Sequence, residues 1–329
     1  FNVVSKSGET SETAAQFMVV RHVLRETLGA EASSRIVVTT DAVKGPLREL
    51  ARREGYLSLE VPQGVGGRFS VLSAVGLLPA SVAGVDIDAV MAGARQAEEY
   101  CSREDPRQNP ACLAASLLYL ADVKLGKRIH VMMPYADRLR DVADWFRQLW
   151  AESLGKVRPR DGGKEHVGPT PVRALGATDQ HSQLQLFMEG PQDKVLIFLR
   201  PEAFDRSMMI PQESLGAAEF DYLAGRTMEE LLLAEQRATE LALAKNGRPS
   251  MTFHLNKVTP AVVGGLLFFL EVQTAIAGWL YEINPFDQPG VEEGKNYARG
   301  MMGMQGYQRW RDEVERAAPR RKEWTLRCA

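Results

Sequence analysis

The feature that most constrains this chain is the repeated alternation of short β-branched or apolar runs with stretches of helical periodicity. Near the amino terminus, strands are predicted at Phe1–Val4, Ile36–Thr39 and Leu57–Val61, with helices at Glu12–Leu28 and Pro46–Glu54 between them. Helices of this length between strands are typical of right-handed β–α–β crossovers, which build parallel sheets. The chain is therefore predicted to be an α/β protein.

The alternation resumes after a polar stretch, Ser102–Pro110, with strands around Arg128–Met133, Lys194–Leu199 and Met251–Leu255. Helices are predicted at Ile87–Cys101, Ala111–Leu125, Asp137–Leu154, Gln180–Glu189, Met228–Lys245 and Pro260–Leu280, and a Gly/Pro-rich loop at Arg158–Pro171. A length of 329 residues fits two domains at roughly 150 residues each. We predict one domain over residues 1–105 and a second, ending in helices, over residues 106–329.

Composition excludes several classes of function. Charged residues make up 25% of the chain and the formal net charge is −2, so no global field favours nucleic acid or an anionic membrane. The longest apolar stretch, Ala261–Leu270, ends at Glu271 and has about half the length of a membrane span. Cys101, Cys112 and Cys328 fit neither a disulfide framework nor a Cys-x-x-Cys metal site, which favours a reducing cytoplasm.

Two glycine-containing loops follow predicted strands. Ser5–Thr10 places three hydroxyl groups and a glycine before a helix, which suits either a phosphate-binding loop or an ordinary capped helix start. Gly64–Ser70 misses the G-x-G-x-x-G pattern because Phe69 replaces the third glycine, so a dinucleotide site is not predicted. Arg68 in this loop either reaches a ligand or lies on the surface of a tight turn.

Three further segments carry candidate catalytic groups. Glu152 stands at the carboxyl end of a predicted helix, where the macrodipole disfavours an acid, which suggests a functional role. The alternative interpretation is an ordinary solvated carboxylate. His181 lies in a polar cluster, and Lys295 lies one turn into a helix after a rigid Pro/Gly loop; each also has a plain structural interpretation. Because the histidines form no HxxxH or HExxH pair, we predict chemistry that needs no metal or other cofactor.

In their order along the chain, these segments resemble the bacterial type of the glucose-6-phosphate isomerase (phosphoglucose isomerase) family. The matching segments are SKSGETSET (Ser5–Thr13), GGRFSVLSAVGLLP (Gly66–Pro79), ESLGK (Glu152–Lys156), TDQHSQLQLFMEGP (Thr178–Pro191) and NPFDQPGVEEGK (Asn284–Lys295). The resemblance runs from Ser5 to about Lys295, nearly the whole chain.

The resemblance implies two SIS (sugar isomerase) domains, each a doubly wound parallel sheet in a three-layer αβα arrangement. It implies the reversible conversion of glucose 6-phosphate to fructose 6-phosphate through an enediol, a step of glycolysis and gluconeogenesis, without a cofactor. It further implies a homodimer, and the composition leads us to expect a cytoplasmic protein that binds neither nucleic acid nor membrane.

The family pattern also assigns roles to individual residues. The phosphate-binding loop is matched by Ser5, Lys6, Ser7 and Thr10. Arg68 matches the arginine that steadies the enediol, and Glu152 matches the base that moves the proton between C1 and C2. His181 and Lys295 match the pair that assists ring opening, with the histidine supplied by the neighbouring subunit. Gln288 matches a glutamine that contacts substrate.

The chain departs from the family pattern in two places. The family's upstream Gly-Gly-Ser loop and first strands are absent, and the chain begins at Phe1 without Met. We therefore expect an N-terminally truncated chain with an incomplete first domain. Whether such a truncated chain keeps isomerase activity is not predicted. Gly8 and Glu9 replace the more usual hydroxyl or aromatic residues of the phosphate loop, and the Glu9 carboxylate repels phosphate unless it points away.

Two alternative functions remain. A dual glucose/mannose 6-phosphate isomerase shares the style of the phosphate loop, although the ESLGK and DQPGVE segments fit the single-function family better. A SIS module that binds sugar phosphate without converting it is the alternative from another class. The joint presence of Glu152, His181 and Lys295 argues against it, because binding alone needs no base.

Overall fold

The structure is a computed structural model that describes residues 1–160 and 163–317. One compact unit spans Phe1–Phe286, and a second begins at Asp287. Cys328 and the end of the second predicted domain lie outside the described residues. The described strands that pair side by side in the two larger sheets are all parallel, which confirms the predicted α/β class.

The first sheet has three strands in the order β1–β2–β3: β1 (Asn2–Val4), β2 (Val37–Asp41) and β3 (Leu57–Val61). α1 (Ser11–Leu28) and α2 (Pro46–Glu54) are its crossovers, as predicted. Buried apolar side chains from these elements form one cluster under the helices, which comprises Val3, Phe17, Leu24, Ala32, Ile36, Val38, Leu47, Ala51 and Tyr56. The carboxyl ends of these strands lead into the loops that carry the candidate site.

Two helices connect this sheet to the second half of the chain. α3 (Ala74–Val82) was not predicted; it contains an internal proline, Pro79, and lacks a fully buried face, so it gives a weak pattern. α4 (Ile87–Cys101) was predicted with these bounds. Each begins at a side-chain cap, Ser73 for α3 and Asp86 for α4, and the capping oxygen accepts from a backbone amide in the first turn.

α5 (Pro110–Leu125), β4 (Ile129–Pro134) and α6 (Arg140–Leu154) follow, close to their predicted positions. The prediction of a loop over residues 158–171 is wrong, because this segment contains most of an antiparallel hairpin formed by β5 (Lys156–Arg160) and β6 (Gly163–Val167). Its strands are short, rich in charged residues and mostly exposed, so they lack the alternating apolar pattern that identifies a strand.

The second sheet has four parallel strands in the order β7–β4–β8–β9. After β4 the chain adds β7 (Thr170–Arg173) on one side, then β8 (Lys194–Ala203) and β9 (Ser250–Lys257) on the other. This reversal makes the second sheet doubly wound. α7 (Leu184–Glu189) is shorter than predicted, since a 3₁₀ turn precedes it, whereas α8 (Met228–Lys245) has its predicted bounds and a capping box.

α9 (Pro260–Leu280) is the central helix of the main core. Among the described residues it is the one helix long and apolar enough to cross a membrane. Much of its surface is packed inside the protein, and α4 crosses it with backbone contact, because a Cβ at Gly93 or Gly264 would overlap the opposite backbone. The predicted boundary between residues 105 and 106 lies within the first compact unit and stays a prediction.

The second unit contains α10 (Glu292–Met301) and α11 (Gln308–Arg316). Tyr297 and Trp310 pack edge to face with ring centroids 4.9 Å apart and hold the two helices together. α10 carries Lys295, one of the predicted site residues.

Candidate active site

The loop from Ser5 to Thr10 folds around its own hydroxyl groups. Ser5 is buried; its Oγ lies 2.9 Å from Thr10 Oγ1 and accepts a hydrogen bond from the Gly8 amide at 3.2 Å. Gly8 has φ +72°, and a Cβ there would lie 2.8 Å from the Leu47 amide nitrogen, so this position requires glycine. Thr10 is the N-cap of α1 but its side chain bonds no helix amide. The first-turn amides and the helix dipole thus leave a position suited to an anion.

Lys6 and Ser7 connect this loop to two neighbouring turns. The Lys6 ammonium donates to the Val65 carbonyl at 2.6 Å, in the glycine-rich turn that precedes Arg68. A Cβ at Gly45 would lie 2.7 Å from the Ser7 carbonyl oxygen, so the turn before α2 packs directly on the loop backbone. The loop, the α2 turn and the glycine-rich turn therefore form one continuous surface.

Arg68 lies in a 3₁₀ turn, Gly67–Phe69, and its side chain is only 2% exposed, so it is no surface arginine. Its Nε donates to Ser153 Oγ at 2.8 Å and its Nη2 to the Pro285 carbonyl at 2.6 Å. Its Nη1 lies 3.3 Å from Glu152 Oε2. The guanidinium therefore joins the glycine-rich turn, the end of α6 and the segment after α9, and it orients the Glu152 carboxylate.

Aromatic residues fix the backbone around Arg68. The indole Nε1 of Trp145, on α6, donates to the Arg68 carbonyl at 3.1 Å. The rings of Phe69 and Phe286 pack with centroids 5.2 Å apart. Both contacts hold the turn against the second half of the unit, which limits the number of positions that the guanidinium can adopt.

Glu152 occupies the last turn of α6 and its side chain is 37% exposed. While Oε2 faces Arg68, Oε1 accepts a hydrogen bond from Gln148 Nε2 at 3.3 Å. The Lys156 ammonium donates to the carbonyls of Glu152 and Ser153 at 2.7 and 2.9 Å. This cation offsets the unfavourable helix dipole at Glu152 and explains how an acid is tolerated there.

His181 lies on the surface, directly after the 3₁₀ turn Thr178–Gln180. Its backbone amide donates to the Thr178 carbonyl at 3.2 Å, and among the described residues its imidazole has no hydrogen-bond or ion-pair partner. Asp179 fixes the turn by accepting from the Leu175 amide at 2.7 Å and from Ser182. Burial would raise the pKa of Asp179, but these hydrogen bonds outweigh it and lower the pKa. A rigid turn thus presents a solvent-facing imidazole.

Gln288 and Lys295 belong to the second unit. Gln288 is exposed and precedes a 3₁₀ turn, Pro289–Val291, that leads into α10. Lys295 is also exposed; its ammonium lies 2.8 Å from Glu292 Oε1, one turn back along the helix. This hydrogen bond lowers the pKa of Glu292. The assignment of both residues to the site stays a prediction.

Ser153, Pro285 and Trp145 hold Arg68 and were not singled out from the sequence. Ser153 and Pro285 lie within the ESLGK and NPFDQPG segments, so attention to the neighbours of Glu152 and Gln288 could have found them. Within residues 1–160 and 163–317 there is no group of three or more His, Cys, Asp or Glu side chains placed to hold a metal ion. Cofactor-free chemistry remains a prediction.

The fold and these contacts define an α/β protein of the SIS type, with loops from the first sheet joined to helix ends of the second. A family model described as phosphoglucose isomerase matches residues 1–309. The chain belongs to the phosphoglucose isomerase family.

Individual relatives agree with this assignment. A glucose-6-phosphate isomerase of Carboxydothermus hydrogenoformans is 48% identical over 95% of this chain and 68% of its own length. One of Rubrobacter xylanophilus is 50% identical over 93% of this chain and 69% of its own. The chain thus spans about two thirds of the length of these curated relatives.

Solved structures show the same fold. A crystal structure of a hypothetical protein from Thermus thermophilus has 46% identity and a TM-score of 0.87, covering 92% of this chain and 71% of that one. A glucose-6-phosphate isomerase from Chlamydia trachomatis has 26% identity and a TM-score of 0.82, covering 95% and 61%.

Proposed function

We propose that this chain carries the catalytic surface of an isomerase that converts glucose 6-phosphate and fructose 6-phosphate into each other through an enediol, with Glu152 as the base. The observation that carries the proposal is the Arg68–Glu152 pair, in which a buried guanidinium holds a part-exposed carboxylate at 3.3 Å. Membership in the phosphoglucose isomerase family and the names of its relatives support the choice of substrate.

The phosphate group is proposed to bind at the Ser5–Thr10 loop. The Thr10 hydroxyl turns toward Ser5 rather than capping α1, so the first-turn amides remain available to phosphate oxygens. Lys6 adds a positive charge beside the glycine-rich turn. An anchored phosphate holds the reacting carbons at a constant distance from the base, which replaces a diffusive encounter by a fixed geometry.

Moving a proton between adjacent carbons requires one base that takes it from C2 or C1 and returns it to the other carbon. The Glu152 carboxylate is exposed enough to meet substrate and is restrained by Arg68 and Gln148. The negative charge that develops on the enediolate oxygens needs a cation that stays charged, and a guanidinium does not lose its proton at working pH. Arg68 is already oriented by Ser153 and Pro285 before substrate arrives.

Ring opening is assigned to His181 and Lys295. Both side chains are exposed, so each is accessible to a group brought by substrate or by a second subunit. We propose a homodimer in which His181 completes the site of the neighbouring subunit, Gln288 contacts the sugar, and the enzyme works in the cytoplasm as part of glycolysis and gluconeogenesis.

The test is a coupled assay with fructose 6-phosphate on the wild-type chain and on Glu152→Gln. The amide keeps the shape of the carboxylate but accepts no proton, so turnover should fall by about 10²-fold or more while KM changes little. Glu26→Gln, at an exposed carboxylate of α1, is the matched control and should retain full activity. Binding of fructose 6-phosphate by the wild type without turnover would favour a non-catalytic sugar-phosphate module, and near-normal turnover by Glu152→Gln would remove Glu152 from its role.

Sharing of His181 is tested by complementation. Glu152→Gln chains and the less impaired His181→Ala chains are mixed, dissociated and reassembled, and heterodimers are confirmed by native mass spectrometry. A heterodimer in which His181 serves the neighbour contains one site with both residues intact, so its activity should exceed that of either homodimer. Heterodimers no more active than the His181→Ala homodimer would place His181 in the site of its own subunit.

A further inference from the structure

A cavity of about 380 Å³ lies at the amino end of β4, outside the residues assigned to the isomerase site. The end of α5, the β5–β6 hairpin and the end of α9 surround it. Its walls combine the cations Lys124, Arg128 and Arg158 with the rings of Tyr119 and Tyr281. This volume falls in the range of cavities that hold small molecules.

The two carboxylates of the cavity are already occupied by protein groups. Glu165 Oε2 lies 2.8 Å from both Nε and Nη2 of Arg158. Asp122 Oδ2 accepts a hydrogen bond from the Tyr281 hydroxyl at 2.5 Å. Burial raises the pKa of Tyr281, so this hydroxyl stays protonated and remains the donor.

Two of the cavity's cations, Arg128 and Lys124, lack a close ion-pair partner among the described residues. Arg128 is 81% exposed, and its Nε lies 3.8 Å from Asp122 Oδ1, a distance too long for a hydrogen bond. Lys124 is exposed and forms no ion pair within the described part of the chain. Arg158 is paired with both Glu165 and Glu282. Because Arg128 has only the distant Asp122 carboxylate and Lys124 has none in residues 1–160 and 163–317, the donors of Arg128 and Lys124 point to an anionic ligand.

The aromatic wall of the cavity restricts the class of anionic ligand that fits. The rings of Tyr119 and Tyr281 pack edge to face with centroids 4.9 Å apart, and the side chains of Val123 and Val167 extend this wall. A bare inorganic anion would leave most of 380 Å³ unfilled. A phosphate group attached to a small carbon skeleton would meet both the cations and the apolar wall.

We infer that this cavity is a second ligand site, which binds a small phosphate monoester with its phosphate on Arg128 and Lys124 and its carbon skeleton against Tyr119 and Tyr281. The site is joined to Arg68 through the segment after α9. The Tyr281 carbonyl accepts from Arg158 Nη1 at 2.6 Å, and the Pro285 carbonyl accepts from Arg68 at 2.6 Å. Between them Glu282 has φ +57°, a left-handed conformation that is rare for a non-glycine residue.

Calorimetric titration with glycerol 2-phosphate tests the site, because this probe carries the phosphate and a short carbon skeleton. The wild-type chain should bind it, and the double variant Lys124→Ala/Arg128→Ala should bind at least about tenfold more weakly at this site. Ser5→Ala, in the proposed phosphate loop, should leave the same site intact, which separates it from any binding at the isomerase site. Binding should also weaken as salt rises, since exposed charges are screened over about 8 Å at 0.15 M.

Controls decide whether the effect is specific. Arg237→Ala removes an arginine that is 71% exposed on α8 and does not line the cavity, so it should bind like the wild type. Isomerase KM should be unchanged in the double variant, because neither residue belongs to the proposed catalytic site. Equal binding by wild type and double variant, equal weakening by Arg237→Ala, or loss of all binding in Ser5→Ala would each overturn the inference.

Discussion

Arg68 and Lys295 are both cations assigned to catalysis, yet their surroundings are opposite. The Arg68 side chain is 2% exposed and donates to Ser153 and to the Pro285 carbonyl while facing Glu152. Lys295 is 51% exposed and pairs with Glu292 on its own helix. The Arg68 guanidinium is held by two separate chain segments, the end of α6 and the segment after α9, whereas Lys295 is held by a single contact one turn away.

This difference teaches that the two halves of the proposed reaction make different demands. Stabilising an enediolate requires a charge whose position is set before the reaction, because reorganising it during catalysis would cost part of the gain. Assisting ring opening requires a proton donor or acceptor that reaches the sugar, and solvent water performs part of that task unaided. We therefore expect substitutions at Arg68 to change both turnover and stability, and those at Lys295 or His181 to change turnover alone.

The largest effect is expected from Arg68→Lys. Lysine keeps the charge but lacks the planar fork that reaches Ser153, Pro285 and Glu152 together. Turnover should fall by about 10²- to 10³-fold, the scale found when one preorganised donor is removed. The unfolding free energy should drop by about 1–3 kcal/mol, because buried polar groups lose their partners.

Steady-state kinetics and urea unfolding measure both quantities. Arg147→Lys is the matched control, since Arg147 lies on α6 but is 54% exposed and pairs with Asp144. It should alter neither value appreciably. A normal unfolding curve together with a full loss of turnover in Arg68→Lys would show that the buried network contributes no stability, and the contrast with Lys295 would then concern chemistry only.

A smaller effect is expected from Lys295→Ala and His181→Ala. Each should lower turnover by about tenfold, because solvent partly replaces an exposed proton donor. The melting temperature should stay within about 1 °C of the wild type, as surface substitutions away from packed features change stability little. A drop in melting temperature as large as that of Arg68→Lys would show that these residues are buried in an interface. The contrast between a buried Arg68 and an exposed Lys295 would then not hold in the assembled protein.

Much of the fold followed from periodicity, because long helices and buried strands leave strong patterns. α2, α4, α8 and α9 begin and end where the sequence predicts, since proline or polar caps mark their starts, and glycine, serine or asparagine follows the first three. The β5–β6 hairpin was missed because Arg158 pairs with Glu165 across it, and charge pairing leaves no apolar alternation to detect.

The site was predictable as a set of segments but not as a geometry. Glu152 and Arg68 were singled out separately, and nothing in their sequence separation indicates that they meet at 3.3 Å. The contact depends on how the turn after β3 packs against α6, which is a tertiary property. The positions of Ser153 and Pro285 around the guanidinium follow from the same packing, so they too became visible only in the structure.

Glu271 on α9 carries a largely buried carboxyl group that, unlike the Arg68 guanidinium, has no surrounding set of hydrogen-bond partners among the described residues. Its carboxyl oxygen Oε1 is buried and has no hydrogen-bond partner within the described residues. Burial raises the pKa of Glu271 to about 8. The folded protein thus keeps this proton at pH values where the unfolded chain, with an ordinary pKa near 4.5, has released it. Because the folded state binds more protons over this range, stability from this group is present below pH 4.5 and is lost as pH rises toward 8.

Glu271→Gln should therefore have the smallest effect on turnover, none within error, and a pH-dependent effect on stability. Glutamine stays neutral and removes the linked proton, so the variant should gain on the wild type as pH rises, by about 1 kcal/mol or more at pH 8 relative to pH 5. Urea unfolding at pH 5, 6.5 and 8 measures this difference, with the exposed Glu26→Gln as a control expected to show none. Parallel pH profiles for wild type and Glu271→Gln would mean that the buried carboxyl is ionised at neutral pH. It would then need a cationic or hydrogen-bonding partner, as Glu152 has in Arg68. The contrast between Arg68, whose buried donors have partners, and Glu271, whose buried oxygen lacks one among the described residues, would then fail.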